Sequence, residues 1–249
     1  RRVVFPRFNG LGAIDLKCPQ RKHSTSETPM KIMVCIKQIP HQDARLEISS
    51  DGTWIKEDGL KFEINSYDTY ALEEALQAKD AGECEVVAVS IGPDRVTQAL
   101  RTALGMGADR AIHVKDAEAE GSDSLGIAKI LAAVAREENP DLIYTGLMAD
   151  DGNFAAVPMM LAELLGMPHT SAAQKVDRAN GTVTVEREVE GGAREVVELQ
   201  RPCLIAVQTG LNQVRYASLK GIMAAKKKPL DVKTIADLGL SGQVGAANA

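Results

Sequence analysis

Residues 85–114, EVVAVSIGPDRVTQALRTALGMGADRAIHV, decide the fold. EVVAVSIG is a β-branched apolar run of the kind found in strands covered on both faces, and it stops at Gly92-Pro93. RVTQALRTALGMGAD has helical periodicity, and RAIHV is a second short strand. Strand, helix and strand in about 30 residues specify a parallel βαβ unit with a right-handed crossover. The pattern repeats outward. KIMVCIKQI (31–39) predicts one strand, SLGIAKILAAVAREEN (124–139) a helix, DLIYTG (141–146) a strand and VPMMLAELLG (157–166) a helix. Pro158 suits the first turn of that last helix. INSYDTYALEEALQAKDAG (64–82) predicts a helix with Asn65 and Ser66 as N-cap candidates and Gly82 as its stop. Between the first strand and this helix, Asp51-Gly52 signals a hairpin. From Thr170 the sequence alternates polar and apolar residues, with turns at Asn180-Gly181 and Gly191-Gly192. This predicts an antiparallel meander, followed by a return strand PCLIAVQT (202–209).

The 249 residues suffice for one domain with its own core. Apolar residues are 45% and charged residues 25%, as in ordinary globular chains. No apolar run reaches the roughly 18–20 residues that span a bilayer. Aromatics are only 4%, which disfavours base stacking along single-stranded nucleic acid. Cys35, Cys84 and Cys203 lie in apolar strand-like runs, as buried reduced thiols do, and the four histidines are scattered, so no metal site is expected. Residues 1–29 carry a net +4, show no period and are expected to be a disordered or non-native extension, with a transit peptide as the sharper alternative. The rest carries −9, against which the basic stretch GLNQVRYASLKGIMAAKKKP (210–229) stands out. The globular unit is placed at 30–240 and a flexible tail at 241–249.

Open parallel sheets bind ligands at the carboxyl ends of their strands. Three such ends qualify: VCIKQIP (34–40), SIGP (90–93) and TGLMADDGNFAAVP (145–158). Gly92, Gly146 and Gly152 would let backbone amides approach an anion beside a helix N-terminus. Ordinary βα turns use the same residues, so both readings stand. The familiar phosphate motifs are missing, and GMGADR (105–110) follows a helix rather than a strand. Asp150-Asp151 reads as a helix cap or a ribose contact rather than a catalytic pair, and no catalytic constellation has local support. The basic stretch is open to three readings: a nucleic-acid patch, a solvated helix face or a protein-docking element.

VEREVEGGAREVVELQRPCLIA (185–206) resembles the signature region of electron transfer flavoprotein β subunits, with Arg187, Glu190, Gly191, Gly192, Glu195 and Pro202 at the motif's spacing. LNQVRYASLKGIMAAKKKP, INSYDTYALEEAL, RTALGMGADRAIHV and VCIKQIP are similar to family segments too, with Val214 and Ser66 where the family has prolines. The resemblance implies an α/β fold with a Rossmann-like, adenine-nucleotide-binding parallel sheet, an antiparallel meander and a C-terminal recognition loop. It implies an electron-carrier subunit, not a stand-alone enzyme, paired with an α subunit that shares the redox FAD. It also implies AMP, or a second FAD in electron-bifurcating members, bound to β itself. The partners implied are an acyl-CoA dehydrogenase type donor and an acceptor of the electron transfer flavoprotein–quinone oxidoreductase type. Nucleic acid and direct membrane insertion are not implied. The compartment would be the cytoplasm, or the mitochondrial matrix in a eukaryote.

Carried over by position, the nucleotide contacts fall on Cys35, Asn65, Ser90, Ile91, Gly92, Asp151, Gly152, Asn153, Ala155, Ala156 and Val157. Docking falls on Leu211, Arg215, Tyr216, Leu219 and Lys220, with Leu219 as the anchor and the lysines steering an acidic partner. DGNFAAVP departs from both the AMP and the FAD patterns, leaving the nucleotide open. The C-terminus is short for the family, so an arm over the α subunit is expected to be shortened. Two rivals explain less. A hydrolysing or adenylating enzyme would want a Gly- and Ser-rich loop after the first strand. A stress-protein-type nucleotide module leaves 185–206 unexplained.

Overall fold

A computed structural model describes residues 30–82, 84–179 and 182–248. The extension 1–29 and the turn at Asn180-Gly181 lie outside these. The core strands are β1 (Met30–Cys35), β4 (Cys84–Ile91), β5 (Arg110–Val114), β6 (Leu142–Gly146), β10 (Cys203–Val207) and β11 (Leu230–Lys233). β7 (His169–Ala179), β8 (Thr182–Glu188) and β9 (Arg194–Gln200) form the meander, and β2 (Gln38–Pro40) and β3 (Phe62–Ile64) pair apart from the main sheet. The helices are α1 (Ser66–Asp80), α2 (Val96–Met106), α3 (Ser124–Glu138), α4 (Val157–Leu165) and α5 (Leu219–Ala225). One nine-stranded sheet runs β11-β5-β4-β1-β6-β10-β7-β8-β9. It is parallel from β11 through β7 and antiparallel from β7 to β9.

Strand alternation divides the core in two. Ile32, Val34, Val86, Ala88, Leu142 and Tyr144 face α1 and α2. Met33, Cys35, Val87, Val89 and Ile143 face α3 and α4. Both faces of the parallel strands are covered, which is why these strands read as continuous apolar runs rather than alternating ones.

Four expectations are corrected. The single strand over 31–39 is two, because the Lys37 amide bonds to the Asp68 carboxylate at 2.7 Å and the chain turns out of the sheet. Asp51-Gly52 closes a turn with Ser49 N–H donating to Trp54 C=O, but its flanks make one isolated bridge, Ile48 to Ile55, rather than a ladder. Asn65 occupies the N-cap position of α1 without capping it by its side chain. The stretch read as a flexible tail is docked: Val244 is 3% exposed, and the Gly245 and Ala246 amides bond to Ser122 Oγ and Glu120 C=O. Edge strand β11, LDVK, was not predicted because its apolar–polar alternation spans only four residues.

Burial of Val244 and the bonds around it set an expected cost for deleting residues 241–249. It is about 2 kcal/mol, or roughly 4–8 °C in thermal midpoint. Thermal unfolding of the truncated chain would reveal a loose tail by an unchanged midpoint.

Candidate functional site

The carboxyl ends of β1, β4 and β6 open into a cavity of about 340 Å³ on the α3/α4 side of the sheet. Its organising group is Asp68, in the first turn of α1. One carboxylate oxygen accepts from Lys37 N–H at 2.7 Å and the other from Gly146 N–H at 2.9 Å. The side chain thus pins the end of β1 to the end of β6. Gly146 permits this approach: a Cβ there would lie 2.3 Å from Asp68 Oδ1 and 2.6 Å from Tyr67 Cβ. Burial raises the Asp68 pKa to about 7, against the lowering effect of the two amides and Asn65. Burial also raises the Cys35 thiol, with the Asp68 charge adding to it.

Asn65 holds the third loop. Its Nδ2 donates to Met148 C=O at 2.9 Å, and its Oδ1 accepts from Asp150 N–H at 3.0 Å. Asp150 returns the contact by accepting from the Ser66 amide and hydroxyl. The acidic pair therefore serves α1 from a distant loop through Asp150. Asp151 makes a 2.6 Å ion pair with Lys37 Nζ at the rim.

Beyond this, residues 152–157 lead into α4. Asn153 and Ala155 have left-handed φ of 56° and 49°, which costs a residue with a Cβ energy and is held only by its surroundings. Phe154 between them is 81% exposed. The N-cap residue of α4, Ala156, has no side-chain cap, and Ala156, Val157 and Pro158 line the cavity, so the helix borders it with its positive dipole end, although Pro158 contributes no N–H. The N-terminus of α3 also borders the cavity, but Asp123 caps it through Gly126 N–H at 2.7 Å.

Of the carried-over contacts, Cys35, Asn65, Ile91, Gly152, Asn153, Ala155, Ala156 and Val157 line the cavity. Ser90, Gly92 and Asp151 do not. The Ser90 hydroxyl is committed to Ile36 C=O at 2.6 Å, and Gly92 C=O contacts His113 Nε2 at 2.8 Å. Asp68, Thr145 and the Ser122–Asp123–Ser124 wall were missed. Asn65-x-x-Asp68 at a helix start, and a threonine closing an apolar strand, were the available signals.

The docking residues separate into two groups. Arg215 bonds Glu73 by Nε at 2.7 Å and Nη2 at 3.0 Å, and it pairs with Asp80 at 2.7 Å. Leu211 packs half-buried against the core. Both therefore anchor the segment to its own domain. Tyr216 is 96% exposed, Leu219 is 77% exposed and Lys220 is exposed; Ile222 and Met223 extend the same apolar surface. α5 lies tightly on α2, since a Cβ on Gly221 would sit 2.3 Å from Gly105 C=O. The two helices cap each other: Arg101 donates to the carbonyls of Ala225 and Lys228, and Lys228 Nζ to those of Leu104 and Ala108. Lys228 is therefore spent inside the fold, which leaves Lys226 and Lys227 exposed in the lysine run.

A family model described as the electron transfer flavoprotein domain matches residues 52–238. The chain belongs to the electron transfer flavoprotein family. Relatives include "Electron transfer flavoprotein subunit beta" of Methylophilus methylotrophus, 40% identical over 223 residues that cover 88% of this chain and 84% of that protein. The Bradyrhizobium diazoefficiens protein of the same name is 42% identical over 85% of this chain and 84% of its own length. A mitochondrial β subunit from Arabidopsis thaliana is 42% identical, covering 84% and 83%. Among the described residues of this family member, no three His, Cys, Asp or Glu side chains group as a metal site, and no helix is long and apolar enough to cross a membrane.

The Asp68 clamp has a measurable pH signature. Replacement by Asn leaves one acceptor for two amides, so one buried N–H loses its partner at about 1–3 kcal/mol. The native state binds the Asp68 proton more tightly than the unfolded chain does. Wild-type stability from this group is therefore full near pH 4 and falls as pH rises toward about 7. Asp68→Asn lacks that slope, so in urea titrations its deficit narrows as pH rises over this window. No deficit at any pH contradicts the clamp, and a deficit independent of pH contradicts the raised Asp68 pKa.

Proposed function

We propose that this chain is the β half of an αβ electron carrier and that its cavity holds the adenylate part of a nucleotide. That nucleotide is AMP or, in a bifurcating assembly, a second FAD. The observation that carries the reading is a mononucleotide-sized cavity at strand ends faced by an uncapped helix N-terminus. Its volume of about 340 Å³ is at the small end of ligand pockets, about 300–1,000 Å³. The first amides of α4 and the ammonium of Lys37 would hold the phosphate. Ile91, Ile127 and Leu131 supply apolar surface for a flat base. Asn65 and Asp68 hold the loops in place. The isoalloxazine shared with the α subunit would supply the redox chemistry, and this chain would bind, orient and shield. No acid or base on β is required, which fits a site whose buried carboxylate is held by two backbone amides.

The surface of Tyr216 and Leu219 is proposed to dock an acyl-CoA dehydrogenase type donor, with Lys220, Lys226 and Lys227 attracting an acidic face. A quinone oxidoreductase type acceptor would receive the electrons. The same exposed leucine that costs solubility in the free chain gains its apolar burial in the complex.

Leu219→Ala in the αβ complex should slow flavin reduction by an acyl-CoA dehydrogenase about tenfold or more, with flavin content unchanged. Stopped-flow absorbance checks the rate and acid-released flavin checks the content. An unchanged rate places docking elsewhere.

A further inference from the structure

Thr145 is the last side chain of β6 before Gly146. It is 4% exposed and lines the cavity, yet its Oγ1 has no hydrogen-bond partner among the described residues. Two residues earlier, Ile143 faces α3 and α4, so strand alternation directs Thr145 to that same side, where the cavity lies. A buried hydroxyl without a partner is costly, and valine would fill the place as well if packing alone mattered.

The charges around it select the end of the ligand that reaches it. The neighbouring Gly146 amide is already held by the Asp68 carboxylate, and the Asp123 carboxylate stands at the start of α3 on the cavity wall. Two carboxylates disfavour a phosphate there. The positive end of the α4 dipole, where Ala156 has no side-chain cap, favours it at that end instead. We infer, resting on the nucleotide reading above, that the Thr145 hydroxyl hydrogen-bonds the nucleoside part of the bound nucleotide and sets its orientation. The chemistry is a neutral hydroxyl meeting a ring nitrogen, an amine or a sugar hydroxyl, with the phosphate directed toward α4.

The test uses the full αβ complex, freed of its adenine nucleotide by reversible partial unfolding and titrated with AMP, adenosine, 2′-deoxy-AMP and inorganic phosphate. Thr145→Val should weaken AMP and adenosine alike, about tenfold, the equivalent of about 1.4 kcal/mol, and leave phosphate competition unchanged. Thr145→Ser should bind within about threefold of wild type. Before nucleotide is added, Thr145→Val should unfold at the same temperature as wild type or higher, since it removes an unpaired polar atom. If the 2′-hydroxyl supplies the partner, 2′-deoxy-AMP binds wild type and Thr145→Val equally; if the base or another sugar oxygen does, the tenfold gap persists. Thr145→Val binding AMP as wild type does, or losing affinity for phosphate instead, overturns the inference. With FAD added to the titrants, wild type binding neither AMP nor FAD overturns the nucleotide reading itself, an outcome visible before any variant is made.

Discussion

A buried carboxylate joining two strand ends is the constraint on which the site depends. Parallel strands β1 and β6 are neighbours in the sheet, but beyond Cys35 and Gly146 their chains part around the cavity. Parting leaves backbone amides without ladder partners. Asp68 accepts one from each chain, Lys37 and Gly146, so the split stays open without orphaned donors. The cost is a carboxyl kept out of water, visible in its raised pKa. Only glycine at 146 allows the approach. The cavity is therefore a designed separation of strands, bridged once by a side chain from the helix above.

The same helix organises the far side of the molecule. Glu73 and Glu74 of α1 are both buried. Glu73 takes the Arg215 guanidinium, while Glu74 takes Arg178 from β7 and the amide of Asn212. Arg178 in turn reaches the Tyr144 hydroxyl. Buried acids are tolerated when paired in this way. One helix thus fixes the cavity loops with its first turn and the meander and exposed segment with its middle. The segment that carries exposed Tyr216 and Leu219 is thereby tied to the domain through Arg215 and Asn212.

The sequence revealed the layers because apolar periodicity is local. Runs such as EVVAVSI and LIYTG announce buried parallel strands, and the alternation after Thr170 announces the meander. What it hid was long-range pairing. Asp68 looked like one helical residue among many, since its partners lie 31 and 78 positions away. Arg215 looked like a free basic rim because Glu73 is 142 residues distant. Lys228 looked solvated, although it closes the end of α2. The last residues looked loose for lack of an apolar run, yet one valine and a few amides dock them. Charge in a sequence shows where a partner is needed; it does not show that the partner is elsewhere in the same chain.

A carrier subunit of this kind acts by shape and placement. The sheet supplies a rigid floor, the open helix end a place for negative charge, and the α1 network a fixed platform for a protruding apolar tip. The central claim is that the cavity is built around an adenine nucleotide. Purifying the αβ complex, precipitating it with acid and quantifying the released nucleotides by chromatography tests this most directly. The account predicts one adenine nucleotide per complex beyond the flavin shared with the α subunit, either AMP or a second FAD. A complex that releases a single FAD and no further adenine nucleotide contradicts it.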